Sequence, residues 1–145
     1  MAKKRKTNSE WQQLVSSAEA AAEQAYAPYS NLRVGAALET DDGTVFAGCN
    51  VENASFGITI CAERVALYCA VTAGARAFRR LVVATPDAGP LSPCGACRQV
   101  FAEFSQDLPI LSVGRGGLRR EFDLRALLPS AFGWPAGEAS RRQEE

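Results

Sequence analysis

Cys61-Ala62-Glu63-Arg64, answered further along by Pro93-Cys94-Gly95-Ala96-Cys97-Arg98-Gln99, are the two segments on which the fold and chemistry of this chain turn. Three thiols and one carboxylate in this arrangement are the parts of a hydrolytic zinc centre. A structural zinc ion closes its tetrahedron with four protein ligands, whereas a catalytic one holds three and keeps a position for water. Cys94 and Cys97 fall on one face of a helix, so both sulfurs can bind one ion together with Cys61. Cys61 and Glu63 do not share a helical face. Both reach one metal only if it sits off the first turn of a helix, where backbone N–H groups are exposed. Thiolates at two helix N-termini are favoured there by the positive dipole ends, which lower their pKa. Cys49 is the one candidate for a fourth ligand, and its use would make the site a structural zinc module and leave Glu63 idle.

Composition removes most competing chemistries. The chain has no histidine, and its only lysines are Lys3, Lys4 and Lys6. Histidine-dependent serine and cysteine triads are excluded, as are a phosphate-binding loop and a Schiff-base lysine in the folded body. The 145 residues carry a formal net charge of zero, which argues against dedicated nucleic-acid binding. No apolar run approaches the ~20 residues of a membrane span, and the basic start leads into polar residues instead of a signal-peptide core. A cytoplasmic location is expected. Five cysteines, two of them in a Cys-x-x-Cys pair, suit a reducing compartment in which thiols bind metal.

Periodicity supplies the organisation. Trp11, Leu14, Val15, Ala18, Ala22 and Tyr26 recur at helical spacing, predicting a helix over 10–26 that Pro28 ends. Strands are predicted at 34–39 and 44–51 around Asp41-Asp42-Gly43, the first too rich in small apolar residues to alternate cleanly. A helix over 61–73, apolar nearly all round, is expected to lie buried, with Cys69 as a core thiol. A strand at 81–85, a helix at 94–104, strands at 109–113 and 118–122, and a last short helix capped by Asp123 complete an α/β layered domain. A flexible basic arm over 1–8, one domain over 9–132 and a disordered tail over 133–145 are expected. Arg64, three residues after Cys61, and Arg98, next to Cys97, are read as donors to sulfur that offset the negative charge three thiolates leave on the zinc, the plain alternative for both being a surface ion pair.

The two motifs together resemble the cytidine deaminase family in its short, three-cysteine form. Pro28-Tyr29-Ser30, Val34-Gly35-Ala36-Ala37, Gly48-Cys49-Asn50-Val51-Glu52-Asn53-Ala54 and Leu127-Leu128-Pro129-Ser130-Ala131-Phe132 extend the likeness over roughly 10–132. The resemblance implies a three-layer fold with a central mixed five-stranded sheet flanked by helices. It implies one Zn²⁺ per chain on Cys61, Cys94 and Cys97, and hydrolytic deamination of cytidine and deoxycytidine to uridine and deoxyuridine in pyrimidine salvage. Glu63 is then the single catalytic carboxylate, base and acid in turn.

By the same resemblance Asn50 and Glu52 hold the ribose hydroxyls, the Ala62 backbone N–H meets the base, and Leu32 lies near it. Phe132 would stack on the base from a neighbouring subunit of a homotetramer. The plain alternatives are a turn residue for Asn50, a solvated charge for Glu52 and a core aromatic for Phe132. Leu32 stands where the family commonly has phenylalanine and Phe56 where it commonly has tyrosine, so stacking is weakened, a hydrogen bond near the sugar or across a subunit contact is removed, and the preferred nucleoside is left open. A related enzyme for another cytosine compound, such as a nucleoside antibiotic, fits the motif equally well. A polynucleotide substrate fits less well, because the chain lacks a basic, aromatic-lined groove.

Overall fold

The Gly35-Ala36-Ala37-Leu38-Glu39-Thr40 stretch does not alternate because both of its faces are covered. In a computed structural model, which describes residues 8–134, it is strand β1 (Gly35–Thr40), buried throughout. The arm and tail expected at the two ends therefore lie, apart from Asn8, Gly133 and Trp134, outside the described residues.

Helix α1 (Asn8–Ala22) precedes β1, and β2 (Val45–Cys49) returns antiparallel beside it. Then come α2 (Ala62–Thr72), β3 (Phe78–Thr85), α3 (Gly95–Ala102), β4 (Pro109–Gly114), β5 (Arg119–Asp123) and α4 (Leu124–Leu127). The sheet order is β2-β1-β3-β4-β5, with β3 and β4 parallel and the other pairs antiparallel. A parallel pair requires a crossover, and α3 supplies it. The mixed five-stranded sheet and the element order are as expected.

Alternate residues along the central strands feed two cores. Ala37, Val82, Ala84, Leu111 and Val113 meet Leu14, Val15 and Ala18 of α1 on one face. Ala36, Leu38, Leu81, Val83 and Ile110 meet Ala66, Leu67 and Ala70 of α2, Phe101 of α3 and Leu124 of α4 on the other. The result is three layers, with α1 the one helix below the sheet among the described residues and the helices that carry the cysteine motifs above it. Asp123 caps α4 by accepting the Arg125 N–H at 2.9 Å.

Three expectations are corrected by the structure. The first helix stops at Ala22, because the Tyr26 N–H donates to Asn50 O (3.0 Å) and Glu52 N–H to Tyr26 O (2.8 Å), drawing residues 23–26 off the helix toward the end of β2. Strand β3 starts at Phe78, since Arg80 is buried beneath α1 with Glu39 as partner. Helix α2 is covered on one side only, leaving Tyr68 and Cys69 exposed, so Cys69 is not a core thiol. Cys49 is half-buried.

Candidate active site

The approach to each cysteine is set by backbone pairing. Val51, just past β2, exchanges both backbone hydrogen bonds with Ile60, at 3.0 and 3.1 Å. This fixes the chain immediately before Cys61. Cys61 is extended at the N-cap position of α2, and Cys94 is extended at the N-cap position of α3. Neither side chain caps its own helix, so both sulfurs are left for another partner. Cys97, one turn into α3, is fully buried.

These three sulfurs lie within 4.8 Å of one another, and among the described residues no other Cys, Asp or Glu joins the group. Cys49, the candidate for a fourth ligand, is outside it. Tetrahedral zinc with Zn–S bonds of about 2.3 Å places its sulfurs about 3.8 Å apart. The Cys61 and Cys94 sulfurs stand 3.8 Å apart, far from disulfide bonding distance, and all five cysteines are free. The donor set therefore fits a zinc ion by distance and by chemistry. Between Cys61 and Cys97 the negative charge settles on Cys61. A hydrogen bond from Cys97, with help from Arg64 and Cys94, brings the Cys61 thiol down to about 5. Cys97 is itself pushed up, by that same contact with Cys61 and then by burial. A divalent cation supplies the positive charge that stabilises thiolate ligands.

Glu63, in the first turn of α2, is 5% exposed. Burial, and then the Cys61 charge, raise its carboxyl to about 7, against a hydrogen bond from its own backbone N–H. What allows this turn to lie so close to the sheet is Gly48 of β2. A Cβ there would stand 2.6 Å from Ala66 N, 2.8 Å from Ala62 O and 2.9 Å from Val65 Cβ. Two of those atoms are helix backbone, so Gly48→Ala must move the start of α2. We expect a stability loss of about 1–3 kcal/mol and a fall in turnover of about tenfold or more, read by urea unfolding and initial rates. Gly48 was not singled out from the sequence, although a glycine inside a strand is itself a sign of close backbone approach.

Arg64 donates from Nη2 to the Cys61 sulfur at 3.4 Å, and its Nε is buried without a hydrogen-bond partner. Arg98 behaves differently from the expectation that it would donate to sulfur. Its Nε donates to Pro93 O (2.7 Å), Nη1 to Leu127 O (3.1 Å) and Nη2 to Ser92 Oγ (3.2 Å), so it ties the segment before Cys94 to the end of α4. These carbonyl acceptors hold its fork away from charge compensation.

Asn50 is buried, with Oδ1 accepting Val34 N–H and Nδ2 donating to Leu32 O, both at 2.8 Å. Glu52 Oε1 accepts Tyr29 N–H (2.9 Å) and Ser30 N–H (3.1 Å), and Oε2 accepts the Ser30 hydroxyl. Both side chains thus brace the 29–34 loop that carries Leu32. The Ala62 N–H belongs to the helix start, where amides lack an intrahelical acceptor. Phe132 is 73% exposed and edge-on to Trp134, so it is not a core aromatic. Its carbonyl accepts Gln99 Nε2 at 2.9 Å.

A cleft of about 360 Å³ beside Glu52 is lined by Tyr29, Ser30, Phe56 and Thr59. A larger dish of about 540 Å³ on the outer face of α2, around Tyr68 and Cys69, contains none of the ligands and almost no polar group that could orient a nucleoside.

Residues 8–111, a span that includes all three clustered cysteines and Glu63, match the family model for the cytidine and deoxycytidylate deaminase zinc-binding region. The cytidine deaminase of Sporosarcina psychrophila is 47% identical over 122 residues, 83% of this chain and 90% of that protein. That of Mycobacterium tuberculosis is 43% identical over 131 residues, covering 86% and 90%. The crystal structure of cytidine deaminase from Burkholderia pseudomallei superposes with a TM-score of 0.81 at 48% identity, over 88% of this chain and all of that one. Zinc is the metal for which the cysteine cluster is built, and the chain belongs to the cytidine and deoxycytidylate deaminase family.

Proposed function

We propose that the protein hydrolyses cytidine and deoxycytidine to uridine and deoxyuridine, releasing ammonia. One arrangement carries this function: three sulfurs within 4.8 Å, no fourth protein ligand in the group among the described residues, and a buried carboxylate two residues from Cys61. The relatives named as cytidine deaminases support it. Cys61, Cys94 and Cys97 hold the zinc, which when bound supplies the Lewis acidity that makes water a nucleophile at neutral pH. Glu63 would take one proton from water and give it to N3 of the cytosine ring, then take the second from the hydroxyl formed at C4 and give it to the departing amine, which leaves as ammonia. Arg64 lowers the electron density on the Cys61 sulfur.

Asn50 and Glu52 brace the loop bearing Leu32, and the lone pairs left on the Glu52 carboxylate are available to a sugar hydroxyl. The Ala62 N–H faces the need for a fixed donor to the base. Residues 9–132 form the catalytic domain. Phe132 reaches the base bound by a neighbouring copy in a homotetramer, and its exposure, with that of Phe56 and Ile58, suits burial between subunits. Five free thiols suit the reducing cytoplasm. No helix among the described residues is long and apolar enough to cross a membrane.

The test is the ultraviolet absorbance change on cytidine, deoxycytidine and free cytosine, together with zinc per chain and sedimentation. Turnover of both nucleosides by a zinc-loaded oligomer is expected. Bound zinc with no turnover of any cytosine compound would make the site a structural module instead.

A further inference from the structure

Arg33 joins three parts of the chain. Its Nε and Nη2 grip Asp87 Oδ2 and Oδ1 at 2.9 Å each, its backbone N–H donates to Asp87 Oδ2 at 3.2 Å, and its Nη1 reaches Glu23 Oε2, just past α1, at 3.2 Å. Neither Arg33 nor Asp87 belongs to the zinc cluster or touches Glu63. Each sits inside a segment that ends at the site.

On one side, Arg33 lies between Leu32, whose carbonyl accepts Asn50 Nδ2, and Val34, whose N–H donates to Asn50 Oδ1. Asn50 is next to Val51, which pairs with Ile60 just ahead of Cys61. On the other side, Asp87 begins the 87–93 segment that delivers Cys94. That segment is fastened to the sheet by Thr85 Oγ1 donating to Gly89 O (2.8 Å), by Ser112 Oγ donating to Leu91 O (2.5 Å), and by Arg115, whose N–H donates to Ala88 O (2.7 Å) and whose Nη2 donates to Asp87 O. Gly114 has no Cβ, and one would strike the Pro90 backbone, so the segment lies directly on β4.

The pair is a poor stability device. Its side chains are 38% and 31% exposed, and ion pairs with that much solvent contribute little. What a bidentate guanidinium–carboxylate fork does impose is distance and orientation. Across the gap between the 29–34 loop and the 87–93 segment it forms three hydrogen bonds to one carboxylate.

We propose that Arg33 and Asp87 are a positioning pair that fixes the Leu32–Asn50 side of the site against the segment bearing Cys94, and thereby sets the affinity for the nucleoside without contacting the reacting atoms. This rests on the deaminase function above. The pair holds the two walls of the substrate site at one separation, so breaking it loosens substrate binding while zinc ligation and proton transfer continue.

The test uses the zinc-loaded enzyme as wild type, Asp87→Asn, Arg33→Met and the double variant, with KM and kcat for cytidine, calorimetric Kd for uridine, zinc per chain and Tm. Each single variant should raise KM and the uridine Kd roughly tenfold, with kcat within about threefold. Zinc content should be unchanged and Tm within a few degrees. The double variant should repeat the same tenfold shift instead of multiplying it, because both singles break one contact. An active wild type whose folded, zinc-loaded variants keep KM and the uridine Kd, or a double variant with multiplied effects, would overturn the pair alone. A wild type that neither deaminates cytidine nor binds uridine would overturn the function, and the pair's role with it.

Discussion

Glu63→Gln is expected to lower kcat for cytidine by about 10⁴-fold while leaving the zinc content and thermal stability close to those of the wild type. The amide has the shape of the carboxyl group and keeps an oxygen to accept the Glu63 backbone N–H, so a site that buries the side chain to 5% exposure is not forced to repack. What it loses is proton capacity. One proton transfer by a positioned side chain is worth roughly 10²–10⁴-fold, and here the same group acts on water, on the ring nitrogen and on the leaving amine. Glu63→Asp separates presence from placement: it retains the proton capacity but retracts the carboxyl group by about one bond length, and a misplacement near 1 Å costs on the order of 10²-fold. The order wild type, Asp, Gln in single-turnover rate, at equal zinc per chain, is the expected result. A Gln variant with more than about a tenth of wild-type kcat would remove Glu63 from the chemistry, since no general base loses so little. A Gln variant that loses its zinc would instead make Glu63 part of the metal's support.

The centre of this site is legible in the sequence because its geometry is local. Cys61 and Cys94 occupy the starts of helices, Cys97 lies one turn beyond Cys94, and Arg64 reaches the Cys61 sulfur from three residues away. Helical spacing predicts each of these without knowledge of the rest of the chain. The parts that escaped are set by partners far along the chain. Arg98, like Arg64, lies within one helical turn of a cysteine ligand, yet its fork is taken by Leu127 O, a carbonyl 29 positions away, and by oxygens of the loop before Cys94. Arg33 and Asp87 are 54 positions apart. Nothing local distinguishes either from an ordinary surface charge.

The fold follows the same division. Strand and helix order is legible from periodicity and turn chemistry, while the errors in extent come from tertiary pairing. The end of the first helix is unwound by Tyr26 pairing with the 50–52 segment, and the start of β3 is hidden because Arg79 and Arg80 stand outside the apolar run that marks the strand. A charged residue in a central strand is the reverse of what burial patterns lead one to expect. That inversion has an energetic consequence large enough to measure.

Arg80 is 4% exposed on the α1 side of the sheet, with Nε donating to Glu39 Oε2, itself 8% exposed across the β1–β3 pairing. Its guanidinium stacks over Trp11 at 5.2 Å, its Nη1 has no hydrogen bond, and Glu10 stands 3.6 Å away. Arginine cannot shed its proton to escape burial. Glu39→Leu therefore leaves a cation enclosed by Trp11, the sheet and α1, with only the half-exposed Glu10 to answer it. The expected loss is about 3–5 kcal/mol, or a fall in Tm of roughly 10 °C or more, while kcat in the surviving folded enzyme stays near wild type because the pair lies on the face opposite α2 and α3. The companion Glu39→Leu/Arg80→Met variant removes the charge as well as its partner. It should recover most or all of the lost stability, since apolar replacement of a whole buried ion pair is commonly neutral or better. Urea unfolding of the zinc-loaded protein measures both. If the single variant cost less than about 1 kcal/mol, Glu10 and the Trp11 ring would already satisfy Arg80. If the double variant were as unstable as the single, the pair would be holding α1 to the sheet by its hydrogen-bond geometry and not by charge balance.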